Sequence, residues 1–167
     1  MSEYPPRRTA LVLGGTGFVG GHIANTLRDN GYRTVTVSRR PTSTGATHCA
    51  LDLETGDAQP LIEVLRTHEP ALVVNAAGSY WGADEPQLHR SFVTATETAL
   101  TALAARPDRR PRYVHLGSVM EYGPLPELGA GDGNGAPAAA NADGRAEKGA
   151  PGRVRAAVGA GAGGGVG

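Results

Sequence analysis

Between Val12 and Gly20 the chain reads "VLGGTGFVG", in which Gly14, Gly17 and Gly20 recur at every third position, while Gly15, Gly17 and Gly20 fit a Gly-x-Gly-x-x-Gly spacing. Glycines at those intervals, with Thr16, Phe18 and Val19 between them, let a chain turn tightly, bring its backbone against a pyrophosphate and pack the next helix close to the preceding strand. The start of such a helix offers free N–H groups and the positive end of its dipole, an anion site made of backbone. The implied chemistry is dinucleotide binding. A lone glycine cluster is equally a flexible turn, but here an apolar run precedes it and an amphipathic run follows.

The next apolar run ends in Ser38, Arg39 and Arg40. An acid there would hydrogen-bond the adenosine ribose and repel a 2′-phosphate, whereas arginine accommodates that phosphate. Paired arginines are often no more than solvated surface residues. The missing acid and the doubled cation nevertheless act in the same direction and point to NADP over NAD. His22, His48, His68, His89 and His115 have no metal-ligand spacing among themselves or with Cys49, so no metal site is expected. Ser118 lacks a Gly-x-Ser-x-Gly context, which argues against a hydrolase nucleophile. Tyr80 and Trp81 either touch a substrate or pack against their own loop.

The elements that must position these residues alternate in type. Short runs rich in Val, Leu and Thr, "TALVL", "TVTVS", "THCAL", "ALVVNA" and "RYVHLG", read as strands. Between them lie "FVGGHIANTLRDN", "AQPLIEVLRTHE" and a long stretch from Pro86 to Ala105, which read as helices. In the first of these, Val19, Ile23 and Leu27 recur at i, i+4 and i+8 and are expected to cover the sheet. This alternation predicts βαβ units and a Rossmann-like, doubly wound parallel sheet of α/β class over residues 9–128, after an extension at 1–8.

Lys+Arg and Asp+Glu are both 16, so the net charge is zero and no electrostatic footprint for nucleic acid or an anionic membrane is present. The lone Cys49 excludes an internal disulfide framework, and the start "MSEYPPRR" has no apolar signal segment. No run approaches the length that crosses a bilayer, so a soluble, cytoplasmic protein is expected, its oligomeric state left open. Residues 129–167 differ in character: they hold 13 of the 25 glycines and 12 alanines, and no Leu, Ile, Phe, Tyr or Trp. Such a segment cannot bury enough apolar surface to offset its conformational entropy and is expected to be disordered. The chain also uses 15 Arg to one Lys, the bias of a GC-rich gene, whose shifted frames encode mostly Gly, Ala, Arg and Pro. A flexible linker and an out-of-frame end both fit.

Together, the glycine motif, "LDL" with Asp52 and Leu53, "VVNAAG" with Asn75, Ala76, Ala77 and Gly78, and "YVHLGSVMEYG" resemble the extended short-chain dehydrogenase/reductase family. Its members are NAD(P)-dependent epimerases, dehydratases and reductases of nucleotide sugars. The resemblance implies that Asp52 and Leu53 lie beside the adenine, that Asn75 to Gly78 run beside the cofactor, and that Ser118 is the catalytic hydroxyl. It covers Thr9 to about Leu128, and family members are roughly twice this chain's length, as a cofactor domain plus a substrate lobe requires.

Three departures bear on activity. The family's Tyr-x-x-x-Lys, in which tyrosine exchanges the proton and lysine lowers its pKa, has no counterpart: no tyrosine follows Tyr122, and Gly144 stands four residues before the only lysine, Lys148. Phe92 stands where the family often has asparagine. Val119 and Met120 follow Ser118 where the dehydratases carry Asp-Glu, which leaves an epimerase or a keto-sugar reductase, the latter in better accord with NADPH. The expectation is an NADP-dependent nucleotide-sugar enzyme present as an inactive N-terminal part. The alternatives are a non-catalytic NADP-sensing module and the product of a disrupted gene.

Overall fold

In the computed structural model of the chain, residues 8–41, 46–78, 82–108 and 110–118 are described. Tyr80, Trp81, Lys148 and the segment 129–167 lie outside them. Five strands, β1 (Thr9–Leu13), β2 (Arg33–Ser38), β3 (Thr47–Ala50), β4 (Leu72–Asn75) and β5 (Arg112–His115), form one sheet in the order β3-β2-β1-β4-β5. Every pairing is parallel. The strand order reverses beside β1, and at such a switch point a crevice opens beyond the carboxyl ends of the strands.

Both faces of the central strands are covered, and all of β1 is buried accordingly. On one face Leu11, Leu13, Val35, Val37 and Val73 join Leu61 and Leu65 of α2 (Gln59–His68) and Ala99 and Ala102 of α4 (Ala95–Ala104) in a single core. The buried leucines of α2 are four residues apart, one helical turn, with Pro60 in its first turn, where a missing N–H costs nothing.

The other face is covered by α1 (Phe18–Asp29), and here the buried face is displaced from the expected stripe. The residues α1 buries are Gly20 and Ala24, whereas Val19 is 50% exposed and Ile23 and Leu27 are half-buried. The reason is proximity. A Cβ on Gly20 would stand 2.2 Å from the Gly14 carbonyl oxygen, so the helix rides so close to the glycine turn that only small residues fit inward. Thr34 Oγ1 donates to the Ala24 carbonyl at 3.4 Å across the same contact.

The stretch expected as one helix from Pro86 to Ala105 begins as α3 (Glu85–His89), passes through a π-helical turn at Arg90–Thr94 and continues as α4. Asp84 caps α3 reciprocally: its Oδ1 accepts from Gln87 N at 2.8 Å, and Gln87 Oε1 accepts from Asp84 N at 2.9 Å. Val114 of β5 and Leu116 just after it are exposed, and no helix among the described residues is long and apolar enough to cross a membrane.

Candidate cofactor cleft

A cleft of about 420 Å³ opens at the carboxyl ends of β1, β2 and β4, a size within the range of roughly 300–1,000 Å³ usual for ligand sites. It brings together Gly14, Thr16 and Gly17 from the first turn, Ser38, Arg39 and Arg40 from the end of β2, Asp52 and Leu53, and Ala76 to Gly78 from the end of β4. These residues come from segments up to 64 positions apart in sequence, between Gly14 and Gly78.

The glycine turn is built for close approach. Gly14 has φ +71°, a left-handed conformation that side chains other than glycine rarely adopt, and a Cβ there would stand 2.7 Å from the Ala76 carbonyl oxygen. Its N–H donates to the Val37 carbonyl at 2.8 Å, which ties the turn to β2. At the start of α1, Gly17 provides no side-chain cap and the first turn contains no acid, so its amides and dipole are left for an external anion. Phe18, 85% exposed, and Val19 lie in that first turn, and what they can offer a phosphate is backbone N–H. Gly15 and Gly20 do not line the cleft. Gly15 packs against Thr36, where a Cβ would approach to 2.7 Å, and Gly20 seats the helix.

At the other end of the cleft a hydroxyl relay fixes the backbone after β2. Thr16 Oγ1 donates to Ser38 Oγ at 2.8 Å, and Ser38 Oγ donates to the Arg40 carbonyl at 2.7 Å. Asp52 Oδ1 accepts from Glu54 N at 3.0 Å and so caps the short 3₁₀ turn Leu53–Thr55, while Leu53 itself is buried in the core. Glu54 lies 3.5 Å from Arg39, as an ion pair.

Asn75 stands behind the cleft. Its side chain is buried, with Nδ2 at 3.1 Å from Tyr113 Oη, 3.3 Å from His115 Nδ1 and 3.4 Å from Thr96 Oγ1, while its Oδ1 accepts from Ala77 N at 3.1 Å. One amide thereby links the turn Ala76–Gly78 to β5 and α4. Burial pushes the Tyr113 phenol up to about 12, opposed only in part by its bond to Asn75, and burial also lowers the His115 imidazole, which favours the neutral ring. Asn75→Ala is expected to destabilise the fold by about 2 kcal/mol, because it strands buried partners as well as removing bonds. Thermal denaturation checks this, and an unchanged melting temperature would count against the network.

Ser118 follows the end of β5 by three residues, on the same carboxyl edge of the sheet, and does not line the cleft. Four lining residues were not anticipated: Leu51, Glu54, Ser91 and Ala95. Ser91 and Ala95 sit four apart on the π turn and its continuation, a feature with no glycine or proline to mark it. Phe92, in the same turn, lies against Gly78, where a Cβ would come within 2.5 Å of its ring. Among the described residues no cluster of His, Cys, Asp and Glu could hold a metal ion.

A model of the NAD dependent epimerase/dehydratase family matches residues 10–141. A relative from Kitasatospora kifunensis, a dTDP-6-deoxy-L-talose 4-dehydrogenase (NAD(P)(+)), is 38% identical over 123 residues, 72% of this chain and 38% of that protein. The structure of UDP-glucose 4-epimerase from Brucella ovis in complex with NAD is similar at 25% identity and a TM-score of 0.78, covering 89% of this chain and 47% of that one. The structure of dTDP-glucose 4,6-dehydratase from Bacillus anthracis in complex with NAD shares the fold at 17% identity and a TM-score of 0.78, over 92% of this chain and 51% of that one. The chain thus spans 38% of the curated relative and about half of each structure.

Proposed function

The chain belongs to the NAD dependent epimerase/dehydratase family, and on that premise we propose that residues 9–128 form the NADP-binding domain of a reductase or epimerase acting on a nucleotide-linked sugar. The observation that carries the reading is the cleft itself, which joins an uncapped helix N-terminus to Ser38, Arg39 and Arg40 with no acid at the end of β2. The nicotinamide, when bound, supplies or accepts hydride. The first-turn amides of α1 would hold the pyrophosphate, Asp52 and Leu53 the adenine, and Ala76 to Gly78 the nicotinamide half. Ser118 would hydrogen-bond the reacting oxygen of the sugar.

The relative's name, a 4-dehydrogenase of a dTDP-linked deoxysugar that takes NAD(P)(+), supports the reductase over the epimerase and admits the phosphorylated cofactor. A second reading, a non-catalytic NADP-binding module, is favoured by one observation: these 167 residues contain no Tyr-x-x-x-Lys. Both readings require the same cofactor preference. Calorimetry is expected to show NADPH binding more tightly than NADH, and Arg39→Ala combined with Arg40→Ala to erase the difference. A hydrogen bond from one arginine to a charged group contributes about 1.5–3 kcal/mol, so even one such contact corresponds to a preference of about tenfold or more. Equal binding of the two cofactors by the unmodified chain would sink the NADP assignment.

A further inference from the structure

The two arginines at the adenosine end of the cleft are not equivalent. Arg39 Nη1 lies 3.5 Å from Glu54 Oε1, with the arginine side chain 58% exposed and the glutamate 25% exposed. No ion pair among the described residues engages Arg40, whose carbonyl is held by Ser38. Glu54 does not arrive there by chance rotation of a loop. It sits in a 3₁₀ turn capped by Asp52, anchored by the buried Leu53 and tied to α4 by Thr98 Oγ1, which donates to the Leu53 carbonyl at 2.9 Å. A rigid turn therefore presents a carboxylate to one of the two cations that line this end of the cleft.

The charges at this end, Arg39 and Arg40 against Asp52 and Glu54, cancel formally. The 2′-phosphate is the one group by which the two nicotinamide cofactors differ, so discrimination between them must be read through these side chains. A phosphate approaching Arg39 would meet a guanidinium whose charge is already offset by the Glu54 carboxylate that it must displace. A ribose hydroxyl meets no such penalty, since a carboxylate accepts its hydrogen bond.

We propose that Glu54 is a specificity-determining residue of this cleft, its carboxylate competing with the cofactor's 2′-phosphate for the Arg39 guanidinium. The inference rests on the reading of the cleft as an NADP site. The chain then prefers NADP(H) by less than two uncommitted arginines would dictate, and the ion pair acts as an internal competitor that must open before Arg39 can engage a phosphate. Arg40 is the cation available without that exchange.

The test is fluorescence titration of NADPH and NADH against the full chain, Glu54→Gln, Arg39→Gln and the double variant. Glutamine keeps the size and polarity of residue 54 and removes only its charge. Glu54→Gln is expected to tighten NADPH about fivefold, the upper end of what a partly exposed ion pair is worth, and to leave NADH within about twofold. In the Arg39→Gln background the same change is expected to do little, because the competition has lost its object. An equal gain in both backgrounds would overturn the proposal in favour of simple repulsion through space, and an unchanged NADPH-to-NADH ratio would overturn it outright. Failure of the unmodified chain to bind either cofactor would remove the cofactor reading itself, and the inference with it.

Discussion

A Gly20→Ala variant is expected to lose about 3 kcal/mol of stability and to bind NADPH too weakly to measure, while Gly21→Ala, one residue on, gains stability. The neighbouring glycines differ in what surrounds them. A Cβ on Gly20 would stand 2.2 Å from the Gly14 carbonyl oxygen and 2.8 Å from its carbon, both backbone atoms of a turn that cannot swing aside without moving β1 or the loop after β4. Overpacking a close-packed contact costs about 1–3 kcal/mol, and a clash with backbone belongs at the upper end. Relief requires α1 to lift off the sheet, which displaces the same amides proposed to hold the pyrophosphate. A Cβ on Gly21 meets nothing nearer than the Gly15 carbonyl oxygen at 3.8 Å, an ordinary contact. There the helix gains what alanine is worth over glycine in an interior position, roughly 0.5–1 kcal/mol. Urea denaturation of both variants, with NADPH titration of each, reads the two signs. Equal effects at the two positions would show that the close approach of α1 is not what the third glycine of the motif secures.

That contrast shows how much of this molecule was legible in its residues. The sheet was, because the expected runs are short, rich in Val, Leu or Thr and bounded by charge, Pro or Gly, and each coincides with an observed strand to within two residues at either end. The inward face of α1 was not. Counting large apolar residues selects Val19, Ile23 and Leu27, but a helix forced this near a strand must turn its smallest residues inward, and the signal for that lay in the glycine motif rather than in the hydrophobic stripe. Most of the residues expected to meet the cofactor do line one cleft, since their spacing reflects turns at the ends of β1, β2 and β4. Asn75 belongs to the same segment yet points into the core, where β5 and α4 supply its partners, and no local pattern reveals which way a strand-terminal amide faces. Glu54 and Ser91 escaped for the same physical reason: each reaches the cleft through tertiary placement, one on a capped 3₁₀ turn and the other on a π turn.

A protein of these 167 residues is expected to oxidise NADPH with nucleotide-linked keto-sugars no faster than a control without protein. Hydride transfer to a carbonyl must be accompanied by a proton, and in the family that this chain resembles a tyrosine of lowered pKa delivers it. Tyr113 cannot serve. It is largely buried in β5 with its hydroxyl against Asn75, and burial pushes its phenol up to about 12, away from the range in which a proton is readily exchanged near neutrality. Tyr32 precedes β2, at the end of the sheet opposite the cleft. The remaining tyrosines, Tyr4, Tyr80 and Tyr122, have no lysine four residues after them, the spacing that lowers the phenol's pKa in the family. General acid–base help is worth about 10²- to 10⁴-fold, and Ser118 can orient a carbonyl without supplying a proton of suitable strength. A loss of that size lies beyond the detection limit of an absorbance assay at 340 nm, whereas cofactor binding to the cleft is expected to persist. Steady oxidation above the control, abolished by Ser118→Ala and reduced by Tyr80→Phe or Tyr122→Phe, would overturn the inactive reading and identify the phenol that replaces the missing motif.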